Sequence, residues 1–514
     1  MAAPGETNSS ASPSYKRGLI LAVASVAVAA ALVLNRLEAA EVCGANEAVE
    51  GIFVQQMVEH GKVLFPLENG HSPMYKPPLF HWTATAIDHL LGVKKVTAFN
   101  LRLTAALYAV AGVLLTISFS RDFIGRDGAW LAGLILCGSY QYIEQGRIGR
   151  VDMTLCFFET LALLAFMWWY AGVERRAHGW LRYLFALALG LGVLAKGPVG
   201  AILPAAACGI FLIAQRRMRD LRELCTPGPV LLALAVGGSW YAACFFARRY
   251  AFLNRQLSSE NFGRFFGALG AMPVWYYLKP LLFNSGPLSL MMPLAVFFAL
   301  HTYWQRSPGP ILDGARDGAA GVLGSRGVDA ARLFAIFWLL SVGFFTLAAY
   351  KRRAYLLPLW PTSAVMLACW TETLFASHRR WGRWLRSCVI LSCCGLIVFN
   401  AVYLPEHQVR ECAGDSVRDA ANEIDRIVGS DEPLYLYGFG EDPAPLLFYL
   451  DRGAPAIGGK LGDAPPGYVI IPAEVWRQHQ HEALDLTPVF QSSSGRPPVV
   501  LLRRGKALAA ASVP

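Results

Sequence analysis

Residues 181–214 read LRYLFALALGLGVLAKGPVGAILPAAACGIFLIA, two apolar runs that are separated by the turn Lys196-Gly197-Pro198. Each run is predominantly apolar but shorter than the roughly 20 residues that a membrane-spanning helix usually has. The stretch therefore predicts two short membrane spans, 181–195 and 198–214, joined by a tight turn. Lys196 is expected within or just above the outer leaflet, where a cation is costly unless it has an anionic partner.

The composition of the whole chain agrees with a membrane protein. Of its 514 residues, 55% are hydrophobic and only 16% are charged, and the mean hydropathy is +0.39. A soluble fold cannot bury so much apolar surface. The formal net charge is +10, but the basic residues are spread over short connectors, which is typical of membrane topology and argues against a nucleic-acid partner. The cysteines form no CxxC pair, so no zinc or redox motif is predicted.

Apolar runs predict eleven membrane spans, near 18–35, 103–120, 128–143, 153–173, 181–195, 198–214, 229–246, 276–300, 333–350, 354–375 and 387–404. The first run is expected to be a retained anchor, with a cleaved signal peptide as the alternative. Arginines are concentrated in alternate connectors, which indicates a cytoplasmic N-terminus. The sequence therefore predicts a multi-pass protein of the inner (plasma) membrane, with 36–102 and the chain from 405 onward on the outer side.

The two outer segments differ in character. Stretches 47–60 and 79–91 of the first loop have apolar residues at helical spacing, which predicts amphipathic helices on the membrane surface, above a site at the interface. The tail has strand-like runs at 434–439 and 468–472 with a helical segment between them, which predicts a small α/β domain. We therefore expect a polytopic α-helical membrane domain over 1–404, a soluble outer-face α/β domain over 405–514, and a flexible, Gly- and Ala-rich cytoplasmic loop at 307–330.

Several charged residues fall on the outer side, where the positive-inside rule does not explain them. The most informative are Arg150, Asp152, Lys196, Lys351 and Arg352. Any one of these cations could simply extend to lipid headgroups. Several cations that converge on one face instead favour a binding site for phosphate or diphosphate, because Lys supplies point charge and Arg a planar fork of donors.

Five short motifs, in order, resemble the polyprenyl-phosphate-sugar glycosyltransferases of the GT-C fold, especially the lipid A aminoarabinose transferases and the protein O-mannosyltransferases. The resemblance covers roughly 40–370. It is carried by Asn46-Glu47 at the start of a helix, Lys76-Pro77-Pro78, Asp152 in GRVDM, Lys196-Gly197-Pro198, and Lys351 followed by Tyr355-Leu356-Leu357-Pro358.

The resemblance implies inverting transfer of a sugar from a polyprenyl-phosphate donor to a lipid, glycan or protein acceptor. Because the departing phosphate is a stable anion, one general base is sufficient, and Glu47 and Asp152 are the candidates. Their structural alternatives are a helix N-terminal acid for Glu47 and an ion pair with Arg150 for Asp152. Substrate-binding roles are predicted for Asn46, Lys76, Arg150, Lys196, Lys351, Arg352 and Tyr355, although Tyr355 is equally typical of an interfacial aromatic belt.

The chain departs from the family pattern at three positions. Asn46 stands where the family has its first acid, and Tyr75 and Asn261 stand where the aminoarabinose transferases have Glu and His. No metal ligands are therefore predicted, although a divalent cation is left open.

Two other functions and one covalent link remain open from the sequence. The functional alternatives are a lipid or glycan transporter, and a polymerase or ligase that uses a diphosphate-linked glycan. Cys43 and Cys412 both fall in outer segments, where a disulfide between them is permitted. Two free thiols are the alternative.

Overall fold

A computed structural model describes residues 13–172, 179–268, 270–284, 286–304, 325–377, 379–412, 416–429, 431–439, 443–450, 452–481, 485–492 and 498–504. Most of the predicted cytoplasmic loop at 307–330 lies outside the described residues. Its last part does not, because a helix begins at Ser325; the loop prediction is wrong there.

The described chain is mostly helical. Its α-helices are α1 (Pro13–Leu34), α2 (Ala45–Val58), α3 (Leu79–Leu90), α4 (Ala98–Gly138), α5 (Tyr140–Gly146), α6 (Val151–Ala171), α7 (Trp180–Lys196), α8 (Val199–Ala214), α9 (Met218–Leu224), α10 (Pro227–Phe246), α11 (Tyr250–Leu253), α12 (Arg264–Phe266), α13 (Leu278–Phe283), α14 (Pro287–Trp304), α15 (Ser325–Leu347), α16 (Leu359–Ser377), α17 (Arg379–Cys412), α18 (Val417–Ile427), α19 (Ala444–Tyr449) and α20 (Ala473–His479). A π-helix covers Asn254–Gly263, and 3-10 turns cover Val274–Tyr277, Arg353–Leu356 and Leu461–Asp463.

The strands form two sheets. Strands β1 (Leu67–Glu68) and β2 (Ser72–Pro73) make an antiparallel pair in the first loop. In the tail, β3 (Leu434–Leu436), β4 (Gly467–Pro472), β5 (Leu486–Gln491) and β6 (Val499–Arg504) form a sheet of order β3-β4-β6-β5. The β3–β4 pair is parallel, whereas the other two pairs are antiparallel. Both predicted strand-like runs of the tail therefore contain strands.

Among the described residues, five helices are long and apolar enough to cross a membrane, or six if the bent pair α13–α14 counts as one span. The shorter apolar helices include Gly18–Leu34 and α8. Every predicted apolar run overlaps a helix. The long helix α4 covers one predicted span and most of the next, and it has a kink at Gly125, whose φ is 73°.

The turn between α7 and α8 lies where the sequence predicted it. Helix α7 ends at Lys196, and Gly197 has a φ of 99°, a conformation that a side chain would strain. A Cβ at this position would lie 2.6 Å from the side-chain nitrogen of Gln256. The turn therefore requires glycine for its backbone conformation and for its close packing against the π-helix.

Two predicted spans do not begin as continuous helices. The run expected at 276–300 is divided into α13 and α14, because Gly286 adopts a φ of 53° and Pro287 starts a new helix. The run expected at 354–375 begins as a 3-10 turn, and α16 starts only after Pro358.

The two helices of the first loop are confirmed in position, but they are packed differently. Helix α3 has a buried face, whereas Leu90 at its end is 86% exposed. Helix α2 is buried on most of its surface, and Phe448 of the tail packs directly against Gly51. The prediction that α2 is an amphipathic surface helix is therefore wrong, because the tail covers its outer side.

The tail is fastened to the first loop by covalent and polar contacts. The structure has a disulfide between Cys43 and Cys412, with a Cα–Cα distance of 5.8 Å. The amide of Val42 donates to the Tyr449 hydroxyl at 2.7 Å, and the Gln55 side chain donates to the Phe448 carbonyl at 2.8 Å. Helix α17 runs through the expected 404/405 domain boundary to Cys412, which brings this cysteine to the loop.

Candidate active site

A cavity of about 370 Å³ lies between α6, α8, the π-helix and the segment that follows α15. Its apolar lining residues are Leu155, Pro198, Val199, Ile202, Leu257, Phe262, Phe265, Phe266, Phe344, Phe345, Ala348 and Pro358. Its polar lining residues are Tyr75, Lys76, Glu159, Lys196, Gln256, Glu260, Asn261, Arg264, Tyr350 and Tyr355. The cavity thus suits a ligand with an apolar tail and an anionic head.

Asp152, Lys196 and Arg150 form one ion-pair cluster beside this cavity. Asp152 lies in the first turn of α6 and Lys196 in the last turn of α7, positions that helix dipoles favour for an acid and a base. The Lys196 ammonium donates to Asp152 Oδ1, and a terminal nitrogen of Arg150 lies 3.2 Å from Oδ2. The Arg150 and Lys196 side chains are 16% and 14% exposed, and Lys196 also lines the cavity.

Tyr355 extends this cluster toward the π-helix. Its ring lies under the Lys196 ammonium, 4.6 Å from ring centre to nitrogen, which is a cation–π contact. Its hydroxyl lies 3.4 Å from a terminal nitrogen of Arg264. The segment after α15 also pairs with α12 through its backbone, because the amides of Ala349 and Tyr350 donate to the carbonyls of Phe265 and Arg264. The predicted residues Lys196 and Tyr355 are therefore in contact.

Lys76 reaches the same cavity from the first loop. It is held by Glu50, which in turn contacts His81, and neither of these two residues was predicted as part of the site. Its ammonium donates to Glu50 Oε1, and His81 Nε2 lies 2.7 Å from Glu50 Oε2. Burial by itself would raise the pKa of Glu50, but Lys76 and His81 together lower it to about 2. The apolar spacing of α2 gave no signal for Glu50. Its role depends on Lys76 and His81, which come next to it only in the folded chain.

Glu47 does not face the Asp152 cluster directly. Its carboxylate accepts two hydrogen bonds from Arg102, at 2.8 and 2.9 Å, and a third from the amide of Gly149 at 2.8 Å. The Arg102 guanidinium also donates to the carbonyls of Leu37, Ala40 and Glu41. Glu47 thus ties the start of α2 to α4 and to the residue before Arg150.

Three more of the predicted binding residues lie near the cavity but do not line it: Asn46, Lys351 and Arg352. Arg352 donates to the side-chain oxygen of Asn46 at 2.8 Å and to the Tyr350 hydroxyl at 3.1 Å. The Lys351 ammonium is buried and donates to the carbonyls of Met272 and Ala348. These contacts secure the segment that carries Tyr355.

The π-helix contributes Glu260, which was not among the predicted site residues. Glu260 Oε2 lies 2.7 Å from a terminal nitrogen of Arg264, and its side chain is 17% exposed. Neighbouring Asn261 donates to the Gln256 carbonyl at 2.7 Å. The available sequence signal was the four-residue spacing of Glu260 and Arg264, which is typical of an ion pair on one face of a helix.

The described residues include no group of three or more His, Cys, Asp or Glu side chains arranged to hold a metal ion. Each of the nearby carboxylates Glu47, Glu50 and Asp152 already faces a cationic side chain. The positions where the related transferases have Glu and His are Tyr75 and Asn261, both in the cavity wall.

Comparison with known proteins supports the sequence-based resemblance. Residues 75–240 match the family model described as dolichyl-phosphate-mannose-protein mannosyltransferase. An undecaprenyl phosphate-alpha-4-amino-4-deoxy-L-arabinose arabinosyl transferase of Pseudomonas aeruginosa is 28% identical over 320 residues, which cover 61% of this chain and 52% of that protein. An uncharacterized protein of Aquifex aeolicus is 25% identical over 77% of this chain and 80% of its own length.

The crystal structure of ArnT from Cupriavidus metallidurans bound to undecaprenyl phosphate superimposes with a TM-score of 0.75. It covers 95% of this chain and 98% of that one, at 17% identity. This chain has the GT-C fold. Its similarity to glycosyltransferases that use lipid-linked sugars is confirmed by sequence and by fold together.

The extent of the sequence match differs among relatives. The chain spans about half the length of several curated relatives, 49% for one Aquifex aeolicus protein and 54% for a transferase of Pseudomonas savastanoi. The GT-C fold is therefore shared along nearly the whole chain, whereas the sequence similarity to the curated relatives is more local.

Proposed function

We propose that this protein is an inverting glycosyltransferase that moves a sugar from a polyprenyl-phosphate donor to a hydroxyl group of a lipid, glycan or protein acceptor. The observation that carries the proposal is the cavity, because its lining combines many apolar side chains with three cations, Lys76, Lys196 and Arg264. An isoprenoid chain requires the apolar side chains and a phosphate requires the cations.

In this proposal the phosphate lies against Lys196 and Lys76, with Arg150 supporting from the ion-pair cluster. Developing negative charge on the departing phosphate is stabilised by cations that are already in place, so the site needs little rearrangement during the reaction. Asp152 orients Lys196 and Arg150, and Tyr355 fixes the ammonium from its other side. The cluster therefore binds the leaving group.

The contacts of the two predicted bases favour positioning roles for both. Each oxygen of Glu47 accepts hydrogen bonds from Arg102, and Asp152 faces cations on both of its oxygens. We propose that Glu47 anchors the start of α2, where Asn46 meets Arg352. Lys351 and Arg352 in turn hold the segment of Tyr355, so these predicted residues act on the donor through the cavity wall.

We further propose the topology expected from the sequence, with eleven spans and the N-terminus in the cytoplasm of a cell with an inner membrane. The site and the α/β region from 405 onward then lie on the outer side, where membrane lipids are direct neighbours. The disulfide between Cys43 and Cys412 supports this orientation, because disulfides persist in oxidising compartments.

Binding of undecaprenyl phosphate to the purified full-length protein tests the proposed donor site. Lys196→Ala is expected to weaken binding by roughly ten-fold or more, since a buried charge-assisted contact is worth about 1.5–3 kcal/mol. Lys62→Ala is the matched control, because Lys62 is exposed and bonds only to Gln56 among the described residues. Equal binding by wild type and Lys196→Ala would contradict the proposal.

A further inference from the structure

The proposed reaction needs a base for the acceptor hydroxyl, and the first-loop position that is acidic in related transferases cannot supply one. That position is Asn46, an amide whose oxygen accepts from Arg352. The adjacent Glu47 is enclosed by Arg102 and the Gly149 amide. An acceptor would have to displace a buried arginine to reach it, at the high cost of leaving that charge unpaired.

The carboxylates deeper in the protein are equally occupied. Glu50 lies between Lys76 and His81 and is fully buried. Asp152 is 1% exposed and faces Lys196 and Arg150. Neither Glu50 nor Asp152 lines the cavity.

Two carboxylates do line the described cavity wall, Glu159 and Glu260. Glu159 lies seven residues after Asp152 in α6, so it is about two helical turns further into the helix. It is 1% exposed, and Leu155, one turn before it, is one of the apolar lining residues. The surroundings of Glu159 therefore do not suit a hydrophilic acceptor, whereas Glu260 lies on the outer segment and is partly open.

We propose that Glu260 is the catalytic base of this glycosyltransferase, an inference that rests on the proposed function. Glu260 takes the proton of the acceptor hydroxyl as that oxygen forms its bond to the anomeric carbon. The bond from the anomeric carbon to the phosphate oxygen breaks on the opposite face, and its electron pair leaves with the polyprenyl phosphate. The products are an inverted glycoside, a protonated Glu260 and the lipid phosphate anion.

Glu260 is connected to the phosphate site by a chain of contacts. The Lys196 ammonium lies 4.6 Å from the centre of the Tyr355 ring, the Tyr355 hydroxyl lies 3.4 Å from Arg264, and Arg264 lies 2.7 Å from Glu260. A sugar whose phosphate is held at Lys196 therefore has Glu260 on the same cavity wall.

The geometry also leaves one oxygen of Glu260 available. Arg264 engages Oε2, and Oε1 has no hydrogen-bond partner among the described residues. Arg264 is itself fixed by Tyr355 and by the backbone pairing with Tyr350. The arginine therefore orients the carboxylate, and Oε1 is free to accept a proton.

The test uses the native host, with its gene deleted and full-length variants restored. Mass spectrometry identifies the envelope glycan or lipid whose sugar depends on the wild-type gene, and undecaprenyl phosphate binding is measured on each purified variant. Glu260→Gln is expected to lower product formation by roughly 10²–10⁴-fold and to leave undecaprenyl phosphate binding unchanged. Glu406→Gln is the control, since Glu406 pairs with Arg36 at an exposed site.

A second measurement distinguishes two roles for Glu260: a catalytic base, or a residue that only holds Arg264 in position. In isolated membranes, added formate is expected to restore part of the activity of Glu260→Ala, because a small carboxylate can replace the missing base. It should restore nothing to Arg264→Met, where the base is still present.

The outcomes separate the two proposals. Near-normal product from Glu260→Gln, or equal formate rescue of both variants, would overturn the assignment of Glu260 and leave the glycosyltransferase standing. If no envelope sugar depends on the wild-type gene and undecaprenyl phosphate does not bind, the proposed function fails, and the assignment of Glu260 fails with it.

Discussion

At the scale of single residues, the site is organised by carboxylates that hold cations. Glu50 holds Lys76, Asp152 holds Lys196 and Arg150, and Glu47 holds Arg102. Each carboxylate is buried, where a lone charge would be far costlier than a paired one. The cations that bind a phosphate are thus kept in position before the donor arrives.

The Glu50 pair makes stability depend on pH in a defined range. The pKa of Glu50 is lowered from 4.5 to about 2, so the folded state binds fewer protons there than the unfolded state. The stability that Glu50 contributes is present above pH 4.5 and is lost as the pH falls toward 2. Acid unfolding of the detergent-solubilised protein should show this loss, on the order of 3 kcal/mol, and Glu50→Gln should remove it. An identical acid profile for both proteins would contradict the role of the pair.

The variant Glu47→Gln tests whether Glu47 anchors the start of α2 or acts as the general base. If Glu47 is an anchor, this change destabilises the protein by about 3–5 kcal/mol, because it leaves Arg102 buried and unpaired. Arg102→Met added to Glu47→Gln should cost less than the sum of the two single changes, since the residues share one interaction. Unfolding of the three variants measures this coupling. A fully stable Glu47→Gln protein without activity would instead restore the base role that the sequence predicted for Glu47.

At the scale of elements, the α7–α8 turn determines where Lys196 lies. Helix α7 ends at Lys196, and Gly197 adopts a φ that other residues rarely adopt. The turn packs against Gln256 of the π-helix. The backbone of this one glycine therefore positions the cation relative to both Asp152 and the cavity.

Gly197→Ala is expected to strain the turn by about 1–3 kcal/mol and to weaken undecaprenyl phosphate binding through displacement of Lys196. Gly209→Ala is the control, because Gly209 is helical and a Cβ there meets nothing within 4 Å. That change should be neutral or slightly stabilising. Equal stability and equal lipid binding for the two variants would show that the turn does not position Lys196.

The sequence could predict the elements because their signals are local. Apolar runs located the helices, and the Lys-Gly-Pro motif located the turn that brings Lys196 to the start of α6. It could not predict Glu50 or Arg102 as partners, because they lie 26 and 55 residues from Lys76 and Glu47. Such pairs are set by helix packing. The same reason explains the burial of α2, whose outer side is covered by residues almost 400 positions later, as the contact of Gln55 with Phe448 illustrates.

At the scale of the whole molecule, the tail secures the first loop over the site. The disulfide joins cysteines that are 369 residues apart in sequence, and Glu41 accepts from Ser416 at 2.8 Å. The loop carries Lys76 and the tail packs on α2 behind it. The tail therefore stabilises one wall of the donor cavity without lining it among the described residues.

Loss of the disulfide should loosen this arrangement. Cys412→Ser is expected to lower stability by about 2–5 kcal/mol, and Cys225→Ser, at an exposed free cysteine, should change little. Thermal unfolding with and without reductant measures the difference. Insensitivity of the wild type to reductant, together with equal melting of both variants, would contradict a stabilising link between loop and tail.

Transfer of a sugar from a polyprenyl phosphate to an acceptor in this cavity can be measured directly. The purified protein in vesicles is supplied with lipid-phosphate donor that is extracted from the gene-deleted host and labelled in its sugar, together with membranes of that host as acceptor. We predict that labelled product and free polyprenyl phosphate appear in equal amounts, with the anomeric configuration inverted, and that Lys196→Ala lowers both. Donor that crosses the vesicle membrane with its sugar still attached, and no labelled acceptor, would contradict sugar transfer and favour a transporter.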